Sequence, residues 1–476
     1  PDSVHIEGLD PLALPSWETI EAGAGKRGYT ATQRRSELAR VSERRGGGDR
    51  EPGLLLWRDA FGWCPFCHQA QLHLEEKGVA YQIRKVPLTL YRIGERDPEL
   101  LRDSPQGLVP ALRVLSAGPL GSQALGAQQH FPSPPVRTVV CGAADVAAFI
   151  EDHCDGPPLM RFKGVDHSLA KAYLGLADEL EQRLHWLGRA STANGVGGAG
   201  TPEDEEAKRA ENYLLAVLED VDVVLGEAIG SPFFFGSAFS AVDIAFAPWV
   251  DRAAALLLFL RGVHVRGGRF PNLDKWLVAM EARPAHRALR LDDETILRIA
   301  AASWLPAAGS PWPRDISSAL TPTWARVVAG FLQSTVTGLA QDASADSAGA
   351  EAAQCLACCR RGVAALAAHR TPSCKPEAVD SLLRAVAAVA ATGDQAAMLA
   401  AVSAAFTGEG EELAAAAIFL RSRLAVPRDM SGEAARRLRI AFGAAATELV
   451  GSKRVAELLA EELCAYHEKV PFRSRH

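Results

Sequence analysis

The feature that most constrains this chain is the run Leu54-Leu55-Leu56-Trp57-Arg58-Asp59-Ala60-Phe61-Gly62-Trp63-Cys64-Pro65-Phe66-Cys67. Four consecutive apolar residues, Leu54 to Trp57, have strand length. A short turn then leads into a helical period at Phe66, Ala70, Leu72, His73, Leu74 and Lys77. That order puts Cys64 beside the unpaired N–H groups and the positive dipole end of a helix, where negative charge is favoured. A thiol so placed has a lowered pKa and ionises near neutral pH. Cys67, one turn later, is within reach to resolve a mixed disulfide on Cys64. The context favours a redox site. Half of a zinc site and a pair of core cysteines are the alternatives, and no second CxxC stands at zinc-ribbon spacing.

Bulk properties narrow the class. The 476 residues suffice for two or three domains with ample core. Nearly half are apolar (48%), aromatics are few, and alanine is conspicuous in the last third, which predicts a soluble, mainly helical protein. A net charge of −6 calls for neither nucleic acid nor an anionic membrane surface. No uninterrupted apolar run approaches about 18 residues, so no transmembrane span is expected. Nine irregularly spaced cysteines fit a reducing compartment better than a secreted disulfide framework.

Along the chain, residues 1–52 read as a basic, flexible N-terminal arm outside the core fold. It carries Gly25-Lys26-Arg27, Arg34-Arg35, Arg44-Arg45 and Gly46-Gly47-Gly48. It is either the segment left behind by a cleaved organelle-targeting peptide or a solvated arm, and the arm needs fewer assumptions. Residues 53–155 read as an α/β domain: strand Leu54–Arg58, helix Pro65–Lys77 ended by Gly78, strand Ala80–Val86, a polar helix near Asp97–Arg102, and strand Ala111–Leu115. Pro110 suits the first position of that last strand because it has no N–H for the ladder. The next strand, Val136–Val140, should come after a hairpin of about 2–5 residues. Instead a Gly/Ser/Gln/Pro-rich insertion, 116–137, intervenes, which reads as a contact surface or disorder. Residues 156–300 read as all-helical, with an N-cap signature at Ser240-Ala241-Val242-Asp243. A Pro-rich linker spans 301–316, and 317–476 form a further Ala-rich helical domain, with helices including Pro322–Leu339 and Gln395–Phe406.

The CxxC strand–turn–helix, the Val109-Pro110 step and the Ser240–Asp243 cap together resemble the glutathione S-transferase superfamily. Cys64-Pro65-Phe66-Cys67 is similar to the motif of glutaredoxins and of cysteine-type (omega-like and dehydroascorbate-reductase-like) transferases. Similarity to algal and plastid transferase-like proteins adds Trp249-Val250-Asp251-Arg252, Trp276–Arg283 and the tail Val426-Pro427-Arg428-Asp429-Met430. The resemblance covers about 54–290. It implies a thioredoxin-like α/β N-terminal domain, an all-α transferase-type domain and a further all-α domain.

The resemblance also assigns roles. Cys64 corresponds to the catalytic cysteine that forms a mixed disulfide with glutathione, and Cys67 to the resolving cysteine. Val109, before a Pro110 that is cis in thioredoxin-like folds, corresponds to the residue whose backbone pairs with the glutathione cysteinyl unit. Ser240 and Asp243 match the folding cap. One part does not carry over. Where the superfamily places Glu-Ser or Gln-Ser to hold the γ-glutamyl group, this chain has Ala143-Ala144 or, two residues earlier, Cys141-Gly142. Losing charge-assisted hydrogen bonds costs on the order of 1.5–3 kcal/mol each, so glutathione binding is expected to be weak or lost unless Arg84, Lys85 or Arg113 substitutes.

Two functions from different classes are compatible with these residues. One is a glutathione-dependent thiol transferase or reductase acting on a small thiol or disulfide. The other is a degenerate transferase fold serving as a scaffold subunit of a larger assembly, through 116–137, the arm or 317–476. A chloroplast or other plastid, and otherwise the cytoplasm, is the expected location. No metal site is expected: Cys355, Cys358 and Cys359 with His369 and Cys374 approach zinc spacing, but they lie in a helical run without a tight knuckle. Trp186, Trp249 and Trp276 read as core.

Overall fold

The computed structural model describes residues 14–26, 43–45, 53–60, 62–86, 97–115, 137–160, 165–193, 202–304, 345–392, 410–426 and 429–469. The chain divides into two units, Pro1–Arg35 with Gly309–Pro471, and Ser36–Ala308 with Phe472–His476.

Two pieces of the stretch read as an arm outside the core are built into these units. Helix α1 (Trp17–Lys26) buries Trp17, Ile20 and Ala24, which share one face at spacings of three and four. The Trp17 indole donates to Asp380 Oδ1 at 2.8 Å, and the Arg360 guanidinium lies 5.4 Å from its ring centre. Strand β1 (Glu43–Arg45) pairs antiparallel with Tyr81–Ile83. An otherwise open sheet edge presents a row of unpaired N–H and C=O groups, which explains why a short polar segment is used there.

The sheet runs β1-β3-β2-β4-β5. Strand β2 (Leu54–Asp59) is buried along its whole length, as a continuous apolar run requires when both faces of a sheet are covered. It pairs parallel with β3 (Tyr81–Val86) and antiparallel with β4 (Ala111–Val114), which pairs antiparallel with β5 (Val139–Cys141). Helix α2 (Pro65–Glu76) joins β2 to β3, α3 (Pro98–Asp103) precedes β4, and α4 (Ala143–His153) follows β5. Leu54, Leu56, Tyr81, Ile83, Leu112 and Val114 pack under Leu74 of α2 and Val146 and Ile150 of α4. On the other face, Leu55, Trp57 and Ala111 pack with Leu100 of α3. Burying each large apolar side chain contributes roughly 1.5–3 kcal/mol, so the central strands anchor the domain.

The helical domain of the same unit comprises α5 (Val165–Ala193), α6 (Pro202–Glu227), α7 (Ala241–Leu256), α8 (Pro271–Ala282), α9 (Pro284–Leu289) and α10 (Asp293–Trp304). The last two occupy a stretch that the periodicity left unassigned, and α10 takes in the first residues of the expected linker. Ser240 caps α7 reciprocally: its Oγ accepts the Val242 N–H at 3.3 Å, while Asp243 accepts the Ser240 N–H at 2.9 Å. The other unit contains α11 (Ala345–Arg370), α12 (Pro376–Thr392), α13 (Gly410–Arg423) and α14 (Gly432–Lys469), the last broken at Gly451, φ +81°. Among the described residues, no helix is long and apolar enough to cross a membrane. The insertion 116–136 and the helices expected at Pro322–Leu339 and Gln395–Phe406 lie outside the described residues.

Candidate functional site

Cys64 is the N-cap of α2 and Pro65 its first helical residue, a position where the missing N–H costs nothing. The first turn of α2 holds no acidic residue, so a thiolate there meets the open helix terminus without a competing carboxylate on that helix. The cap is held from the strand side. Asp59, the last residue of β2, accepts the Trp63 N–H at 2.7 Å and the Cys64 N–H at 3.2 Å. The Cys64 sulfur lies 3.9 Å from the Val109 carbonyl oxygen, and the Val109–Pro110 peptide bond is cis.

The two thiols occupy opposite environments. A hydrogen bond from Cys67 holds the Cys64 thiol below the ordinary cysteine range; the Arg252 charge adds to that, and burial and Asp59 oppose it. Cys67 is fully buried, and burial together with the bond to Cys64 pushes its thiol well above the ordinary value. The two shifts run in opposite directions, so the pair favours ionisation at Cys64 over Cys67.

The helical domain closes over this turn. Arg252 of α7 donates Nη1–H to Pro248 O at 2.6 Å and Nη2–H to the Trp63 carbonyl, and its guanidinium lies 5.0 Å from the Trp63 ring centre. Gln69 Nε2–H donates to Ala245 O at 3.0 Å, and Arg283 Nε–H donates to Glu76 at 2.8 Å. Phe66, exposed beside the thiols, meets the buried Trp249 edge to face at 5.6 Å. Deeper in, the buried rings of His68 and His286 stack at 6.1 Å, and His286 approaches Asp251 at 3.6 Å. Burial holds both imidazoles below their ordinary pKa.

The structure thus brings together Cys64, Cys67, Val109 and Pro110, the residues singled out from the sequence. It adds Asp59 and Arg252, for which the available signal was a charge embedded in an apolar run. Two of the charge substitutes are taken up elsewhere. Arg84 pairs with Glu99, and Arg113 pairs with Glu99 at 3.0 Å and Asp103 at 3.1 Å, on the sheet face that carries Trp57. Ala143 and Ala144 open α4 behind an N-cap Gly142 with φ +94°, so neither register presents a Glu or Ser there. Asp59, Cys64 and Cys67 bring three donor atoms within 4.8 Å of one another. Both Asp59 oxygens accept backbone N–H groups, however, and the Arg58 and Arg252 guanidiniums stand alongside, an arrangement suited to an anion rather than a cation. Cys355 and Cys374 are buried, and Cys358, Cys359 and His369 are exposed.

Residues 63–153 match the family model for the glutathione S-transferase N-terminal domain, and residues 171–279 the model for its C-terminal domain. "Glutathione S-transferase L2, chloroplastic" of Arabidopsis thaliana is 24% identical over 234 residues, covering 49% of this chain and 65% of that protein. "Protein IN2-1 homolog B" of Oryza sativa is 23% identical over 153 residues, 32% of this chain and 55% of that one. The chain therefore spans less than two thirds of the length of these curated relatives. Among solved structures, glutathione transferase Omega 3C from Trametes versicolor is 21% identical with a TM-score of 0.37, covering 51% of this chain and 95% of that one.

Proposed function

We propose, from the membership of residues 63–153 and 171–279 in the glutathione S-transferase superfamily, that the chain carries out glutathione-dependent thiol–disulfide exchange through Cys64. The Cys64 thiolate attacks the glutathionyl sulfur of a mixed disulfide. A Cys64–glutathione disulfide forms, and the substrate thiolate leaves and takes up a proton from solvent. A second glutathione thiolate then attacks the bound glutathionyl sulfur, releasing oxidised glutathione and regenerating Cys64. In the dithiol branch Cys67 gives up its proton and attacks the Cys64 sulfur, yielding an intramolecular disulfide and free glutathione. Val109 is the backbone position assigned to the cysteinyl unit of glutathione.

The observation that carries this reading is the divergence of two neighbouring thiols, one lowered at a helix cap and one raised by burial. Groups driven apart in this way take the separate roles of nucleophile and proton donor. Removal of glutathione from a glutathionylated peptide, measured with wild type and Cys64→Ser, tests it. The variant is expected to fall to the uncatalysed rate, and indistinguishable rates would exclude Cys64 from the mechanism.

One observation favours a second reading, a transferase fold retained as a scaffold subunit. The start of α4 offers Ala143 and Ala144 where a charged γ-glutamyl group needs polar partners. Calorimetric titration with glutathione separates the two: measurable heat supports exchange. Silence, together with fixed-stoichiometry co-purification in a larger assembly, supports the scaffold. The chloroplastic relative supports a plastid as the location of either, which a fluorescent fusion of the full-length protein tests.

A further inference from the structure

Arg252 belongs to the helical domain, yet it is committed to the thiol turn. Its side chain is almost wholly inaccessible, and burying a guanidinium is costly unless it is paired and hydrogen-bonded. Among the described residues no carboxylate forms an ion pair with it. The adjacent Asp251 turns instead to His286 at 3.6 Å and Arg290 at 3.7 Å. What Arg252 bonds is two neutral carbonyls, those of Pro248 and Trp63, with the Trp63 ring under its face. A fork aimed at the residue before the nucleophile places a buried positive charge, flanked by Asp251 and Asp59, beside the position an anion takes at Cys64.

We propose that Arg252 is a positioning residue for Cys64: from across the domain interface it clamps the Trp63–Cys64 turn and supplies the counter-charge of the thiolate. The inference rests on the thiol-exchange reading of Cys64. The titratable groups that interact with Cys64, Cys67 or Arg252 come from four elements. β2 contributes Asp59 and Arg58, α2 contributes Cys67 and His68, α7 contributes Asp251 and Arg252, and α5 contributes His185 at the edge of the same region. Burial lowers the pKa of both His68 and His185, and Asp59 works against the thiolate. Arg252 is thus the helical domain's cationic contribution to the nucleophile. Seating of that domain on α2 therefore adds to the Cys67 hydrogen bond in tuning a cysteine of the other domain.

The test is the pH dependence of Cys64 alkylation by iodoacetamide in the reduced full-length protein, read on the Cys64 peptide by mass spectrometry. Arg252→Gln keeps a donor for the Trp63 carbonyl and removes the charge, whereas Arg252→Lys keeps the charge and loses the fork. The wild-type midpoint is expected below the free-cysteine value of about 8.5. Gln should raise it by a few tenths of a unit, about a twofold loss of thiolate below the midpoint, and Lys by less than half of that. A folded Gln variant with the wild-type midpoint overturns the proposal, as does a wild-type midpoint at the free-cysteine value. If Gln fails to fold, as judged by circular dichroism, Lys decides: a midpoint raised to the free-thiol value overturns the proposal, and one near wild type supports it. Alkylation needs no glutathione. A shifted midpoint with no peptide deglutathionylation therefore overturns only the exchange reading, and intact exchange with an unshifted midpoint overturns only this one.

Discussion

Asp59 Oδ1 accepts the backbone N–H of Cys64 at 3.2 Å, so the last residue of the central strand holds the cap of the helix that carries the Cys64–Cys67 pair. The same carboxylate opposes ionisation of the thiol it positions. Asp59→Asn keeps an acceptor and removes the charge. The alkylation midpoint of Cys64 should fall by a few tenths of a unit or more, while Asp59→Ala, which frees two N–H groups, should cost about 2 kcal/mol of stability. A midpoint that rises in the Asn variant contradicts the assigned sign.

Cys67 stabilises the thiolate by donating to it. Removing the donor in Cys67→Ala should raise the Cys64 midpoint by roughly one unit, given that hydrogen bonds to charged groups contribute about 1.5–3 kcal/mol. Exchange by the glutathione-only branch should persist, at a reduced rate near neutral pH. Peptide deglutathionylation rates across pH check both statements.

The Asp243 carboxylate is the hub of the helical domain. It accepts from Ser240 N–H at 2.9 Å, Ser240 Oγ at 3.1 Å, Phe234 N–H at 3.3 Å and Trp276 Nε1–H at 2.9 Å. Asp243→Ala strands these buried donors and should cost about 4 kcal/mol, against about 1 kcal/mol for Trp276→Phe, which removes one donor along with its bond. Urea unfolding followed by circular dichroism measures the difference, and equal costs would refute the hub.

Acid should destabilise the Ser36–Ala308 unit. Burial lowers His73 from 6.5 to about 4 and shifts His68 and His286 in the same direction. The unfolded chain binds more protons in that window, so stability is complete above the unfolded value and is lost as pH falls from 6.5 toward 4. His73 alone accounts for about 2 kcal/mol between pH 7 and 5. Asp243 opposes the trend, because burial raises it from 3.8 to about 6 and its contribution grows by about 1 kcal/mol between pH 7 and 5. Burial raises Asp293 and Glu181 as well, and His68, His73, His185 and His286 outnumber these three carboxyls. The urea midpoint should be lower at pH 5 than at pH 7, and His73→Gln should narrow the gap; a midpoint unchanged by pH would reject the account.

In the other unit, Trp17 fills an apolar site and hydrogen-bonds Asp380. Trp17→Ala should cost about 3 kcal/mol. Hydrogen exchange over residues 345–392 of the full-length protein should then accelerate, and unchanged protection would argue against α1 as part of that core.

What the sequence determined by itself was local. The strand–turn–helix from Leu54 to Lys77, the strand entered at Pro110, the Ser240–Asp243 cap and the late alanine-rich helices all arise from periodicity, capping and breaker residues. Those signals act over about four residues and are therefore legible in order along the chain. Tertiary structure alone decided the partners of charged groups. Arg252 meets Trp63 across 189 residues, and Trp17 meets Asp380 across 363. Arg84 and Arg113 are taken up by Glu99 and Asp103, and Glu43–Arg45 is recruited to a sheet edge. A sequence shows that a charge must be compensated once it is buried. Which charges are buried, and against what, is decided only by how the elements pack.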